Sequence, residues 1–407
     1  MNLRPRVHLP ILLLIMLFGS SCDFFFGKKQ DSQTTDVFRQ GAIDPGIPST
    51  VGYVPILPVW KNIPSPVDVY VGYDNMVYVC DANGLDIFDL KGSLQRNIPI
   101  DGASDVCQDR ELRTYVAGRV NRMVNGTLRN LAAVYVIANA AAAGNPLITD
   151  TLIHPFCDQS RNNTSFRGAP DEQVQFTGIT SFADNSIALA RTGPTNDPAG
   201  ISRPDNAILF YNSHHQNTHF ANGLSPAISS LKSVMGLSSI ASFAAPPQSV
   251  SGVSTSQDLL LTQDDPAAAY KVLWVKMVND PDLGIIYTEN SSLLSFDFSH
   301  STRFLYQANR FSHPSRVCVA TDNTGYIFVA DAGRDSVYQF TPKGYEGVNP
   351  PANSATPMQV LASFGGSGSG PFNFLEPSGL CYYNKTLFVA DKGNNRICRY
   401  KLSTDVE

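Results

Sequence analysis

The sequence predicts an all-β fold, a six-bladed β-propeller of four-stranded antiparallel blades closed by pairing of an N-terminal strand with the last blade. Three observations predict it. The phrase "YIFVADAGRDSVYQF" from Tyr326 returns as "LFVADKGNNRICRY" from Leu387. Fainter copies of the same unit fill the chain back to Pro66, and a short alternating strand, "GYVPILPVW" from Gly52, stands before the first unit with no partner of its own. Unpaired strand edges are a liability that a closed ring removes.

The first fifty residues read as an address. "MNLRPRVHLPILLLIMLFGSSCDFFF" places Arg4 and Arg6 before an apolar run from Leu9 to Phe18, then small residues before Cys22. That is the layout of an export signal, and the run is too short to cross a ~30 Å hydrocarbon core. Residues 1–21 are expected to be the signal. Residues 22–50, polar with Gly and Pro, are expected to be a flexible tether. The propeller is expected over 51–407.

Each unit carries a Pro, a short apolar strand, a turn, a second strand ending in Asp, a Gly turn and a third strand. Regularly spaced short strands with turns call for meander sheets. The clear copies are "FSHPSRVCVATDNTGYIFVAD" from Phe311 and "FNFLEPSGLCYYNKTLFVAD" from Phe372. In them Asp331 and Asp391 are expected to accept backbone N–H groups of the next turn, and Gly333 and Gly393 to supply positive φ. "PVDVYVGYDNMVYVCDANGLDIFDL" from Pro66 keeps the Asp as Asp81 and puts Asn83 at the Gly place. "SDVCQDRELRTYVAG" from Ser104 and "FTGITSFADNSIALAR" from Phe176 replace it by Gly118 and Arg191. "VLWVKMVNDPDLGIIYTENSSLLSFDF" from Val272 is read as strands one and two of a further unit, with Glu289 at the Asp place. Six units over Pro66–Tyr400 average about 56 residues, room for four strands and their loops.

Two stretches are expected as loops on one face of the disc, "RVNRMVNGTLRN" in unit two and "TGPTNDPAGISRPD" in unit three. Variable loops on a rigid scaffold commonly carry function. Residues 213–256 are read as an insertion, with a short helix from Ser225 to Gly236 marked by its cap and Pro. The insertion opens with "NSHHQNTHF". His214, His215 and His219 could share a metal if this stretch were helical, whereas its Asn and Thr neighbours favour a loop. No cofactor is expected.

Charged residues are 16% of the chain and the formal charge is −5, so no basic field recruits nucleic acid. Of seven cysteines, Cys107, Cys318 and Cys381 follow the similar phrases "SDVC", "SRVC" and "SGLC", one structural position three times. Buried free thiols are the expectation for these and for Cys80, Cys157 and Cys398, with disulfides the alternative in an exported chain.

Two family resemblances follow from these motifs. "GSSC" resembles the lipobox of bacterial lipoproteins, with Gly19 where Leu is usual. The resemblance implies that Cys22 becomes the first mature residue and carries acyl chains. The chain would then be held at a membrane of the bacterial cell envelope, periplasmic or at the cell surface. The Gly-rich link, "FLEPSG", "VAD" and "GNNRI" of residues 364–400 resemble the NHL repeat. That resemblance implies a contact of Arg396 within its repeat, absent from the "GRDSV" copy, and a binding module for a protein, peptide or glycan on the loop-rich face. Six-bladed enzymes of related form imply an alternative, a metal-dependent hydrolase or lyase using the central channel, but their ligands have no residue-by-residue match here.

Overall fold

The structure, a computed structural model, describes residues 51–406 apart from 162–165, 197–203, 223–230, 245–252, 283 and 352–353. The expected signal, tether and Cys22 lie outside the described residues. Two N-terminal strands come first, β1 (Tyr53–Pro55) and β2 (Trp60–Lys61). Blade one follows with β3 (Asp68–Val71), β4 (Val77–Asp81), β5 (Gly84–Phe88) and β6 (Leu94–Ile98); blade two has β7 (Asp105–Gln108), β8 (Thr114–Val124), β9 (Thr127–Ala138) and β10 (Leu147–Ile153). A one-turn helix, α1 (Ala169–Glu172), leads to blade three, β11 (Gln175–Ser181), β12 (Ile187–Thr192), β13 (Ala207–Tyr211) and β14 (Asn217–Ala221). Blade four is β15 (Leu237–Ser242), β16 (Leu259–Gln263), β17 (Val272–Asp280) and β18 (Gly284–Glu289); blade five is β19 (Pro314–Val319), β20 (Ile327–Asp331), β21 (Ser336–Phe340) and β22 (Phe364–Gly365). Blade six is β23 (Pro377–Tyr383), β24 (Thr386–Asp391) and β25 (Arg396–Leu402).

Each blade is an antiparallel meander in chain order. The first strands β3, β7, β11, β15, β19 and β23 touch in sequence and close on themselves, so they form the inner ring. As expected, the chain ends join: β1 pairs with β25 through Tyr53↔Leu402 and Pro55↔Tyr400, and β2 pairs with it through Trp60↔Ile397. Aromatic packing holds this closure. The Tyr53 ring lies 5.1 Å from Phe364, Trp60 lies 5.7 Å from Phe88, and the Arg399 guanidinium sits 4.8 Å over Trp60. The core is the apolar contact between neighbouring blades, rich in Val, Leu and Ile from the first three strands of each blade. Among the described residues no helix is long and apolar enough to cross a membrane.

Three expectations are corrected. Residues 119–130 are not a loop: β8 and β9 run on as a long hairpin closed at Asn125–Gly126, both at positive φ. Residues 213–256 are not an insertion. They supply the outer strand β14 and the inner strand β15, and the part of the expected Ser225–Gly236 helix that is described, 231–236, is not helical. Blade four is therefore displaced by two strands from its expected place, because Val272–Asp280 and Gly284–Glu289 are its third and fourth strands. Gln263, paired with Leu237, takes the place of the repeat Asp.

A channel-mouth cavity above a buried ionic plug

The inner strands build the site by repetition. In blades three to six the register slips by one residue near the start of the strand, and the extra residue is Thr177, Ser238, Ser315 or Ser378. A bulge re-aims its side chain, and these hydroxyls turn onto the next blade. Thr177 donates to Leu237 O at 2.8 Å, Ser238 to Pro314 O at 2.6 Å, Ser315 to Pro377 O at 2.6 Å and Ser378 to Pro66 O at 2.8 Å. Ser104 of blade two donates likewise to Phe176 O at 3.2 Å. Five of six seams thus carry the same bond. The sixth, between blades one and two, has Val67 at this place.

One residue further along, the six strands present Asp68, Asp105, Gly178, Ser239, Arg316 and Gly379. Arg316 of blade five reaches across the channel to the seam that lacks the hydroxyl. It donates to Asp68 Oδ2 at 2.6 Å and to both carboxylate oxygens of Asp105. Asp68 also accepts the Val106 N–H at 3.1 Å, and its Oδ1 has no hydrogen-bond partner among the described residues. All three side chains are buried. Burial is the leading influence on each: it pushes Asp68 up to about 8 against the pull of Arg316, with Asp105 adding to the rise, and it raises Asp105 as well. Arg316 is held charged above its ordinary range by the two carboxylates. The cluster therefore holds protons more tightly than free carboxyls do.

Arg316 divides the channel. Below it a void of about 50 Å³ is lined by Cys107, Cys318 and Cys381 with Tyr70 and Tyr382. Above it a cavity of about 630 Å³ opens on the face that carries the blade links and the turns between second and third strands. Its walls mix polar and apolar groups, with Gln175, Thr192 and the hydroxyl ring beside Phe176 and Leu237. Asp264 and His313 face each other at its rim at 2.7 Å, and Lys271 holds Asp264 at 2.9 Å. Arg119 lines the opposite wall, donating to Asn130 and to the carbonyls of Glu172 and Val174.

The repeat aspartates are structural ties. Asp331 accepts the N–H groups of Ser312, His313 and Gly333; Asp391 accepts Leu375 N–H, Asn394 Nδ2 and Arg396 Nε. Each joins the end of a second strand to the preceding blade link as well as to its own turn. Arg396 also donates to the carbonyls of Ser369, Gly370 and Asn373. Asp81 accepts Asn83 N–H at 2.7 Å and is raised to about 6, chiefly by burial. Gly333, Gly393 and Asn83 do not supply the positive φ; Asp335, Asn395 and Gly84 do. Gly393 is required by close approach instead, since a Cβ there would stand 2.5 Å from Leu375 Cγ.

The three histidines are not brought together. His214 is exposed in the β13–β14 turn, His215 bridges Tyr115 Oη at 3.1 Å and Asp150 at 3.0 Å, and His219 stacks on Phe210 at 4.3 Å. Among the described residues the group with metal-ligand spacing is His154, Asp171 and Asp205, all buried. Guanidinium groups already occupy it. Arg161 and Arg167 hold Asp171 and Asp205, and Arg191, at the repeat-Asp position of blade three, holds Asp158. Three arginines balance three aspartates, and His154 is neutral because burial lowers it to about 4. A divalent ion would add two charges and displace a guanidinium, so these residues do not fit a metal. The six cysteines within the described residues are unpaired thiols.

No protein-family model and no curated protein matches the chain. Solved structures share its fold. An auxiliary nutrient binding protein from Bacteroides ovatus is 10% identical with a TM-score of 0.49, covering 87% of this chain and 77% of its own. A structural genomics protein of unknown function from Bacteroides thetaiotaomicron is 11% identical with a TM-score of 0.47, covering 87% and 76%. Virginiamycin B lyase from Staphylococcus aureus is 10% identical with a TM-score of 0.42, covering 86% and 99%. At such identities the likeness concerns the fold and carries no argument about activity.

Sequence reasoning did not pick out Asp68, Asp105, Arg316, Arg119 or the Asp158–Arg191 network. The first three were marked all the same, because each stands one place after the seam position held by Val67, Ser104 or Ser315 in "PVDV", "SDVC" and "PSRV".

Proposed function

We propose that the protein is a binding module, an NHL-type propeller held at the bacterial cell envelope through a lipidated Cys22, that takes a protein, peptide or glycan ligand in the channel-mouth cavity. The observation that carries this reading is the cavity of about 630 Å³, ringed by hydroxyls and floored by Arg316. Ligand sites are concave, with a few polar groups fixing orientation. The rival reading, a metal-dependent hydrolase or lyase, is disfavoured because the channel carboxylates Asp68 and Asp105 are already engaged by Arg316.

Gln175 lines the mouth, so Gln175→Trp obstructs the cavity without breaking a side-chain hydrogen bond recorded among the described residues. Titration calorimetry of the full chain in detergent, against a pool of tryptic peptides and a pool of oligosaccharides, is expected to give binding that this variant abolishes. Binding unchanged in Gln175→Trp refutes the cavity as the site. A stoichiometric metal that survives dialysis and supports turnover favours the rival. For the anchor, Cys22→Ala is expected to release the chain from the membrane fraction, since acyl chains contribute ~0.8 kcal/mol per buried CH₂.

A further inference from the structure

The long hairpin of blade two continues the cavity wall upward. Arg119 and Ala132 are cross-strand partners, and both line the cavity. Side chains alternate between the two faces of a strand, so the next pairs on that face are Asn121↔Asn130 and Met123↔Leu128. The opposite face is covered: Val120, Val124 and Leu131 belong to a cluster with Phe166, and Arg129 pairs with Glu172 of α1. The cavity-side face is open, and Met123 and Leu128 are 61% and 62% exposed at its tip.

Three features of this face point to one ligand chemistry. Arg119 lines the cavity with no carboxylate within 4.0 Å among the described residues, unlike Arg316, which has two. A guanidinium has five N–H donors. Arg119 commits four of them, all to uncharged oxygens. Asn121 accepts from Asn130 at 2.9 Å, and no partner is recorded for its own amide hydrogens among the described residues. Above it stand the two exposed apolar side chains. From floor to tip the face thus offers a cation, an amide donor and an apolar pair. With two residues of strand spanning roughly 6.6 Å, cation and apolar pair stand about 13 Å apart at the backbone, the reach of four extended residues.

We propose that this face takes the free carboxyl end of an extended peptide: the α-carboxylate on Arg119, a backbone carbonyl on Asn121, and an apolar side chain three or four residues before the end on Met123 and Leu128. The proposal rests on the cavity reading above and names the ligand class for it. Charge complementarity selects a carboxylate, and the rise of the hairpin selects an extended chain.

The test uses the full chain in detergent and two mass-distinguished random hexapeptide libraries, one with free carboxyl ends and one with carboxamide ends. Retention on immobilised protein is read by mass spectrometry. Retained hexapeptides are then titrated singly, with sodium laurate as competitor. The expected result is preferential retention of the free acids by about tenfold or more, with apolar residues enriched three or four places from the end. Arg119→Gln is expected to remove the acid-over-amide preference, and Arg119→Lys to restore part of it. The double variant Met123→Ser with Leu128→Ser alters only exposed positions; it is expected to remove the apolar enrichment and leave the acid preference. Equal retention of acids and amides, retention of neither, or displacement by laurate with no peptide preference overturns the proposal. Oligosaccharide binding that Gln175→Trp abolishes, without peptide binding, overturns the ligand class and spares the cavity. Peptide binding indifferent to Gln175→Trp overturns both.

Discussion

Arg316→Met tests whether the channel plug holds the ring together. The variant keeps a long side chain and removes the one cation that touches Asp68 and Asp105 among the described residues, two carboxyl groups with almost no exposure. Breaking a buried ion pair by removing one partner costs about 3–5 kcal/mol. The pH dependence sharpens the test. Burial raises Asp68 in the folded state to about 8 from an unfolded 3.8, so its contribution is fully present below about pH 4 and is lost as pH rises through about 8. Without Arg316, the pull that lowers both carboxyls is gone, and the pair in the folded variant binds protons more tightly than in wild type. Each retained proton costs about 1.4 kcal/mol per pH unit relative to the unfolded chain. The destabilisation is therefore expected to grow as pH rises from 5 to 7. Urea unfolding at pH 5, 6, 7 and 8, followed by tryptophan fluorescence, reads it. A triple variant adding Asp68→Asn and Asp105→Asn is expected to recover most of the loss at pH 7. A destabilisation below about 1 kcal/mol at pH 7, or one that does not change with pH, refutes the reasoning.

Three other outcomes are expected. Val67→Thr supplies the missing hydroxyl at the seam of blades one and two and should raise the urea midpoint, with a gain of about 0.5–1.5 kcal/mol, while Ser315→Ala should lower it by a similar amount. His154 is folded-state depressed to about 4, so stability should fall as pH drops from about 6.5 towards 4, and His154→Gln should flatten that limb of the pH–stability curve. Trp60→Ala removes the ring packed between Phe88, Phe388 and Arg399 at the chain closure; a loss of about 3–5 kcal/mol in chemical denaturation is expected.

Two misreadings show where local pattern fails. β17 alternates apolar residues as an inner strand does, so Val272 looked like the start of a blade. The true inner strand, "LSSIAS" of β15, is half serine; Ser239 and Ser242 are buried, and Ser238 and Ser242 bond to the neighbouring blades through Pro314 O and Ser181 O. Gly393 read as a positive-φ position because glycine tolerates it, but the neighbouring Asn395 takes the left-handed conformation and Leu375 leaves no room for a Cβ.

What the sequence determined alone was the repeat, the strand order within most blades, and the closure of the first strands onto the last. These follow from alternation, turn residues and aromatic phrases that a few neighbouring positions express. Only the tertiary structure decided the site. Arg316 meets Asp105 across 211 positions and Asp68 across 248, and Arg119 lines a cavity shared with Asp264 and His313. Such partners become neighbours through the curvature of a closed ring, and their charges acquire shifted affinities for protons only once that ring excludes water from them.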